Sequence, residues 1–239
     1  AQNLVDVKPT IMTSVPRLFE RIHTKIIKNV DSQPLKKQKI FYWAMDVGVR
    51  YAEAKKKGNV PLSFKLKHKV ADKLVFSKLR EKTGGNLRFF ISGGAALPTY
   101  LGNFFDAIWI IIVEGYGLTE SSPVIAANRV EDFKFGSVGK PFPGVEIKIA
   151  SDGEILARGS NIMQGYYKNK KETDATIKDG WLYTGDIGVF DGDGFLKITD
   201  RKKHLFKTSA GKYIAPNPIE SMFLASKYID QFVLIGDRR

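Results

Sequence analysis

The sequence contains no cysteine among its 239 residues. This absence excludes disulfide bonds, thiolate metal sites and a cysteine nucleophile, and it is compatible with the reducing cytoplasm, where we expect the protein to work. Long apolar runs are also lacking, since the longest covers residues 107–113 and is far too short for a membrane-spanning helix. The first residues, AQNLVDVKPT, have neither the basic start nor the apolar stretch of a secretory signal peptide.

Acidic residues are few relative to basic ones, 25 against 38, which gives a formal net charge of +13 at neutral pH. Much of the excess precedes residue 90, with basic runs at 55–57 and 65–82. The sequence has no helix-turn-helix, zinc-finger spacing or aromatic RNA-binding pattern, so we expect no nucleic-acid partner. A solvated helical surface, an anionic membrane face and a polyphosphate ligand remain as explanations of the charge.

The first part of the chain is expected to be mainly helical. Hydrophobic residues make up 43% of the sequence, which is enough for a sizeable core. Apolar residues at helical spacing predict an amphipathic helix that begins near Ser14. Two further helical stretches are predicted at 33–57 and 62–82, and the pair Gly84-Gly85 ends the second of them.

The pattern changes at Leu87. The segment LRFFISGG predicts a buried strand that ends in a glycine turn, and it is followed by a predicted helix at 98–107 and a second buried strand at 108–113. A strand, helix, strand succession is typical of a parallel α/β sheet, in which ligands bind beyond the carboxyl ends of the strands. The sequence therefore places a candidate site at the turns 92–96 and 114–120.

Beyond Pro123 the chain is rich in short strands separated by glycine and aspartate turns. The segment DGDG at 191–194 predicts a hairpin connection. The predicted strands are 145–149, 154–158, 181–183, 188–190 and 195–199. After the basic run at 200–203 we expect a strand through Phe206, a turn at 209–212, a helix from about Asn217 and a strand at 231–236.

These patterns predict an α/β plus β fold class. We expect residues 1–125 to belong to a large α/β subdomain and residues 126–202 to form a β-rich subdomain. The remaining residues, 203–239, would begin a small α+β domain.

A segment suited to nucleotide binding, EGYGLTE, runs from Glu114 to Glu120. Its glycines would allow a ligand close to the backbone, and the Tyr116 ring can stack on a flat base. The Thr119 hydroxyl can bind a phosphate oxygen, and the Glu120 carboxylate can hold Mg²⁺. Taken by itself, the segment is equally compatible with an ordinary glycine turn.

A second such segment, Tyr183-Thr184-Gly185-Asp186, ends a short predicted strand. An aspartate there can accept hydrogen bonds from both hydroxyls of a ribose, each worth roughly 1.5–3 kcal/mol. An Asx turn is the alternative. Arg201 follows the predicted hairpin and could return to the same cleft to bind a sugar or a phosphate, or it could form a salt bridge between domains.

The chain contains, in order, the segments ISGGAALP, EGYGLTESSP, GSVGKPFPG, GEILARGSNIMQGYY, WLYTGDIG, ITDRKKHLFKT and AGKYIAPNPIE. This succession resembles the adenylate-forming superfamily, which includes acyl-CoA synthetases, luciferases and the adenylation domains of peptide synthetases. Within that superfamily, the helical stretch before Leu87, the start PTIMTSVPRLFERI and the ending KTSAGKYIAPNPIE look like long-chain fatty acyl-CoA synthetases. The resemblance covers almost the whole chain and implies the adenylate-forming fold.

The resemblance implies a ligase reaction in two steps. ATP and a long-chain fatty acid would give an acyl-adenylate and pyrophosphate, and CoA would then convert the adenylate to the thioester and AMP. Because the fatty acid carboxylate must approach the anionic α-phosphate in the first step, Mg²⁺ and cationic groups would neutralise the developing charge. ATP, the fatty acid and CoA are the expected partners, and a lipid substrate is compatible with peripheral contact between a basic surface and a membrane.

The resemblance also implies roles for individual residues. The expected catalytic residues are Thr119, Glu120 and Arg201, and Glu120 would hold Mg²⁺. Asp186 would bind the ribose hydroxyls, and Lys203 would be the hinge about which a small domain rotates between the half-reactions. The expected nucleotide-binding residues are Gly93, Gly94, Ala95, Glu114, Gly115, Tyr116, Gly117, Thr119, Asp186 and Arg201.

Two parts of the family's pattern do not occur in the sequence. There is no Ser/Thr/Gly-rich phosphate loop of the STGTTGxPKG type, and the chain does not reach the lysine that the family places near its C-terminus. We therefore expect the chain to be a fragment that forms no acyl-adenylate by itself. The alternatives are an acyl-AMP ligase or another adenylate-forming ligase and, in a different class, a basic module that binds nucleic acid or a membrane through residues 55–82.

Overall fold

The structure is a computed structural model that describes residues 2–207, 213–224, 226, 228–229 and 231–236. The chain forms two compact units, Ala1–Val113 and Glu114–Arg239. None of the helices in the described part of the chain is both long and apolar enough to cross a bilayer.

The first unit is mainly helical, as the sequence predicts. A π-helical turn, Asp72–Phe76, joins the helix at 62–71 to the helix at 77–81, so that residues 62–81 are helical throughout. Its strands are β1 (Ile11–Ser14), β2 (Phe89–Ser92) and the start of β3 (Ile111–Gly117). Its helices are α1 (Gln2–Val7), α2 (Pro16–Asp31), α3 (Leu35–Lys56), α4 (Leu62–Ala71), α5 (Ser77–Glu81) and α6 (Thr99–Ala107).

The core of the first unit includes aromatic side chains of α2, β2 and α6. The Phe19 ring lies edge-on to Phe90 and Phe105, with ring centroids 5.0 and 5.9 Å apart, and all three rings are fully buried. Helix α2 begins at Pro16, whose missing N–H has no intrahelical partner to lose in the first turn. Strand β1 pairs in parallel with β2, although the sequence did not predict β1.

The second unit is rich in antiparallel strands. Its largest sheet has the order β10-β9-β7-β6, with β8 paired to β9, while β4 pairs with β3 and β5. The helices are α7 (Lys170–Thr176) and α8 (Pro216–Leu224). The strands are β4 (Val124–Ala127), β5 (Lys140–Pro141), β6 (Val145–Ile149), β7 (Glu154–Gly159), β8 (Ile177–Lys178), β9 (Trp181–Phe190), β10 (Leu196–Arg201), β11 (Phe206–Lys207) and β12 (Tyr213–Ile214).

These elements confirm the α/β plus β class and most of the predicted strands. The DGDG hairpin is confirmed, because the Asp191 N–H donates to the Phe195 carbonyl across the turn that joins β9 to β10. The segments 181–183 and 188–190 form one strand, β9, because the residues between them continue the pairing with β7 and β10. The predicted subdomain limits stay predictions.

The predictions for the end of the chain have mixed outcomes. The helix expected from about Asn217 is confirmed as α8. The strand expected at 231–236 is wrong, since these residues pair with no other strand in the described part of the chain. One of their amides, the Leu234 N–H, donates instead to the Glu220 carboxylate at 2.8 Å. The turn predicted at 209–212 lies outside the described residues.

Candidate functional site

A cavity of about 600 Å³ opens in the second unit. It is lined by residues of EGYGLTE, YTGD and the basic run after β10, three segments that lie far apart in the sequence. Four cationic side chains among the lining residues make the cavity suitable for an anionic ligand, although three glutamates also line it. The charged lining residues are Glu120, Glu154, Glu172, Lys178, Arg201, Lys202 and Lys203.

Asp186 and Arg201 meet because β9 and β10 form an antiparallel hairpin. The two residues are direct partners in its register. The Arg201 Nε atom donates to Asp186 Oδ1 at 2.9 Å, and the Tyr116 hydroxyl donates to Asp186 Oδ2 at 2.8 Å. Asp186 is buried just behind the cavity wall, and its neighbours Thr184 and Gly185 line the wall itself. The structure thus brings three predicted site residues into one hydrogen-bonded group.

The Asp186 carboxylate keeps acceptor capacity in this arrangement. Each of its oxygens accepts one hydrogen bond, and an ionised carboxylate offers about four acceptor sites in total. Burial and the charge of Asp186 hold the pKa of Tyr116 well above its usual value, so the phenol stays protonated and remains a donor. The Tyr116 ring is itself buried in the core of the second unit, and its stacking on a base stays a prediction.

Glu120 is held in place by the segment GSNIMQGYY. The Tyr166 hydroxyl donates to Glu120 Oε1 at 2.8 Å, and the Met163 N–H donates to the Glu120 carbonyl, also at 2.8 Å. The Asn161 side-chain amide donates to the carbonyls of Ser121 and Val124. Tyr166 and Asn161 were not singled out from the sequence, because their partners lie about forty residues away.

Glu154 is a third residue that the sequence analysis did not select. Its buried carboxylate accepts hydrogen bonds from the Gly185 N–H at 2.9 Å and from Lys202 Nζ at 2.7 Å. Lys202 also pairs with Asp152 at 2.6 Å. Hydrogen bonds to Asp152 and Glu154 raise the pKa of Lys202 well above its usual value. Glu154 therefore connects the YTGD turn to the residue that precedes Lys203.

The remaining predicted residues of EGYGLTE have different surroundings. Glu114 is buried, and its carbonyl accepts the Asn128 N–H at 2.8 Å. Thr119 is exposed at the start of a 3₁₀ turn. A Cβ atom at Gly115 would meet nothing within 4 Å, whereas one at Gly117 would lie 1.6 Å from the Pro123 carbonyl oxygen.

Gly93, Gly94 and Ala95 belong to the first unit, where they form the turn after β2. The Gly93 N–H donates to the Ser14 carbonyl at 3.2 Å, and Gly94 has a φ of +81° that favours glycine. Their contribution to nucleotide binding stays a prediction. Lys203 lies in the 3₁₀ turn Lys202–His204 and lines the cavity of the second unit, and its role as a hinge also stays a prediction.

Residues 1–167 match the sequence model of the family described as AMP-binding enzyme. The chain belongs to the AMP-binding enzyme family. The matched residues include EGYGLTE and Tyr166, whereas YTGD and the basic run after β10 lie beyond them.

Curated relatives of this AMP-binding enzyme include fatty acid ligases from distant organisms. The long-chain-fatty-acid–CoA ligase FadD15 of Mycobacterium bovis is 43% identical over 232 residues, which are 97% of this chain and 38% of that protein. The peroxisomal long chain acyl-CoA synthetase 7 of Arabidopsis thaliana is 39% identical over 247 residues, which are 97% of this chain and 34% of that protein. The chain thus spans well under half the length of the curated relatives it matches.

Solved structures of adenylate-forming enzymes have the same fold. Unliganded O-succinylbenzoate CoA synthetase of Bacillus subtilis is 32% identical, with a TM-score of 0.58, over 65% of this chain and 37% of that one. The same enzyme in complex with its acyl-adenylate intermediate is 31% identical, also with a TM-score of 0.58, over 67% of this chain and 36% of that one. The predicted membership of the adenylate-forming fold is therefore confirmed.

Proposed function

We propose that this chain is part of a long-chain fatty acid–CoA ligase, which uses ATP to form an acyl-adenylate and then transfers the acyl group to CoA. The observation that carries the proposal is the convergence of Glu120 and Arg201 on one cavity, with Arg201 bonded to Asp186. The names of the relatives described above support the choice of a long-chain fatty acid as the substrate.

In this proposal the hydrogen-bonded group of Asp186, Tyr116 and Arg201 binds the ribose. The remaining acceptor sites of the Asp186 carboxylate would take the two ribose hydroxyls. Tyr116 holds the carboxylate in place from the core side, where its hydroxyl is already committed. The Arg201 side chain is half exposed and can turn toward a phosphate oxygen as the nucleotide enters.

Glu120 fits the role of a magnesium ligand that is shared with the phosphates of ATP. In the described part of the chain no group of three or more His, Cys, Asp or Glu side chains could enclose a metal ion. Mg²⁺ prefers oxygen ligands, keeps several waters and is commonly held by one or two carboxylates together with substrate phosphates. When bound, the ion would neutralise phosphate charge during the attack of the fatty acid carboxylate. Tyr166 would fix the orientation of Glu120.

Both half-reactions are substitutions at groups that carry or develop negative charge. In the first, a carboxylate oxygen forms a bond to the α-phosphorus while the bond to pyrophosphate breaks. In the second, the CoA sulfur attacks the acyl carbon, AMP leaves, and the thiol proton is released. The side chains of Lys178, Arg201 and Lys203 line the cavity and would stabilise the phosphate charge of the first step.

The proposal places the protein in the cytoplasm, where it would meet its lipid substrate at a membrane surface. The basic residues at 55–57 and 65–82 support such a contact, because lysines near an anionic leaflet are attracted to it.

The overall reaction provides the direct test. Full-length protein incubated with palmitate, ATP and CoA should release AMP, pyrophosphate and palmitoyl-CoA in equal amounts, as measured by chromatography of the products. Release of ADP and phosphate would contradict the proposal. Accumulation of acyl-adenylate without the CoA thioester would favour an acyl-AMP ligase instead.

Replacement of Tyr166 with phenylalanine should lower the affinity for Mg²⁺ without affecting the fold. The change removes the 2.8 Å hydrogen bond to Glu120 and leaves the ring in place. Loss of a partner that orients a metal ligand typically lowers metal affinity about 10–100-fold. We expect a rise of that size in the Mg²⁺ concentration for half-maximal acyl-adenylate formation by the full-length protein. Tyr167→Phe is the matched control, because that side chain is 88% exposed; equal effects of the two changes would contradict the assigned role of Tyr166.

A further inference from the structure

The outer face of α4 and of the π-helical turn after it carries a row of exposed apolar side chains. Leu62, Leu66, Val70 and Leu74 are 82%, 67%, 45% and 45% exposed. A spacing of four residues places them on one side of the helix. Such a row is unusual on a helix that packs on a core, because its outer face is normally polar.

The exposed row is not the face that packs on the core of the first unit. The side chains of His68, Ala71, Val75 and Phe76 are buried on the opposite side of the same helical stretch. Phe76 is fully buried and belongs to the main hydrophobic cluster of that unit. The stretch is therefore apolar on two sides. The packing of its inner side is sufficient to hold it on the core of the first unit, so the apolar outer side is not needed for that packing.

Lysines alternate with the exposed apolar residues. Lys65, Lys69 and Lys73 each follow a member of the row by three residues, so they lie on the same face, and all three are exposed. Residues 62–82 contain seven basic and two acidic side chains. One of these acids, Asp72, forms a 2.8 Å ion pair with Arg80. It therefore neutralises Arg80 and not the three lysines of the exposed face.

We propose that this surface docks on a lipid bilayer with anionic headgroups. We call it the α4 face, and it consists of Leu62, Lys65, Leu66, Lys69, Val70, Lys73 and Leu74. The apolar side chains would enter the boundary between headgroups and acyl chains, while the lysines would contact the negative headgroups. The proposal rests on the proposed function, because it gives the expected membrane contact of a fatty acid ligase a location.

The combination of residues favours a bilayer over the other anionic partners. Nucleic acid would attract the lysines, but its phosphate backbone has no apolar layer for four aliphatic side chains. An acidic protein surface would need a groove complementary to the row. A bilayer supplies both the charge and the apolar layer along the whole length of the helix.

Vesicle sedimentation with the 239-residue chain tests the proposal. We expect binding to vesicles that contain phosphatidylglycerol and little binding to vesicles of phosphatidylcholine alone. The double change Leu62→Ser with Leu66→Ser should lower the partition coefficient about tenfold or more, because the two most exposed side chains of the row no longer insert. The triple change of Lys65, Lys69 and Lys73 to Gln should lower it by roughly fivefold per lysine at low salt.

Matched variants separate the α4 face from general effects of charge and hydrophobicity. Leu35→Ser removes a leucine that is 72% exposed at the start of α3, and changing Lys168, Lys170 and Lys171 to Gln removes three exposed positive charges from the second unit. Both controls should leave vesicle binding unchanged. Circular dichroism should show the same helix content for all variants, since every altered side chain is exposed.

The proposal fails if anionic vesicles do not bind the chain or if the control variants lose as much binding as the α4 variants. It also fails if the chain binds duplex DNA as tightly as anionic vesicles and the leucine changes affect neither affinity, because the surface would then act through charge alone. The assay contains no nucleotide or CoA. A failed ligase assay would therefore overturn the proposed function and leave the vesicle result unaffected.

Discussion

Replacement of Asp186 with alanine is expected to lower the affinity of the chain for AMP by about 10²–10⁴-fold. Two hydrogen bonds from ribose hydroxyls to an ionised carboxylate are lost together, and each is worth roughly 1.5–3 kcal/mol. Isothermal titration calorimetry of AMP with the 239-residue chain measures the change. Asp193→Ala is the matched control, because that aspartate is exposed in the β9-β10 hairpin and binds Lys134 instead.

The same substitution should also reduce stability, and the two effects can be separated. Without the carboxylate, the buried Tyr116 hydroxyl loses its acceptor, which costs about 1–3 kcal/mol. Asp186→Asn keeps the size of the side chain and one carbonyl oxygen as an acceptor, so it should retain more stability while still losing most of the affinity for AMP. AMP affinity that is unchanged in a folded Asp186 variant would contradict the ribose site, and with it the central support for the proposed ligase.

The meeting of Asp186 and Arg201 was predictable because local patterns determine it. The DGDG turn indicates a hairpin, and an antiparallel hairpin returns the chain to the strand it left, so residues on opposite sides of the turn become neighbours. The position of EGYGLTE after a buried apolar run was predictable for a similar reason, but the strand predicted to end at 113 continues as β3 through Gly117, so the first four residues of the motif are in the strand.

The residues that hold these motifs in place could not be derived from local patterns. Tyr166 is hydrogen-bonded to a residue 46 positions away and Glu154 to one 31 positions away. Nothing in their immediate sequence distinguishes them from surface residues. The buried state of Tyr116 was missed because an aromatic residue beside glycines suggests an open ligand surface. Its hydroxyl is instead committed to Asp186, a partner 70 residues away, by a contact that only the folded unit creates.

The strand predicted at 231–236 failed for a related physical reason. The continuous apolar run FVLI at 232–235 favours extended backbone, but a strand also requires a neighbour to pair with. The segment 231–236 has no such neighbour among the residues that the structure describes. The apolar run therefore indicated a strand but could not supply its partner.

Replacement of Gly117 with alanine is expected to destabilise the second unit by about 3 kcal/mol or more. A Cβ atom there would lie 1.6 Å from the Pro123 carbonyl oxygen and 3.0 Å from the Val124 Cα, both on the neighbouring backbone. Backbone cannot move aside as the end of a side chain can, so the β3-β4 connection would have to rearrange, and overpacking of this kind typically costs 1–3 kcal/mol or more. The midpoint of urea unfolding measures the effect.

Gly115→Ala is the matched control two residues earlier in the same strand. A Cβ atom at Gly115 would meet nothing within 4 Å, so stability should be unchanged or slightly higher through the loss of unfolded-state entropy. If Gly115 allows the nucleotide to approach the backbone, the same change should nevertheless lower AMP affinity by about tenfold. Equal stability of the two variants would show that Gly117 is not required by packing. Normal AMP binding by Gly115→Ala would instead remove that glycine from the nucleotide site, since the added Cβ atom would have blocked the approach of the nucleotide to the backbone.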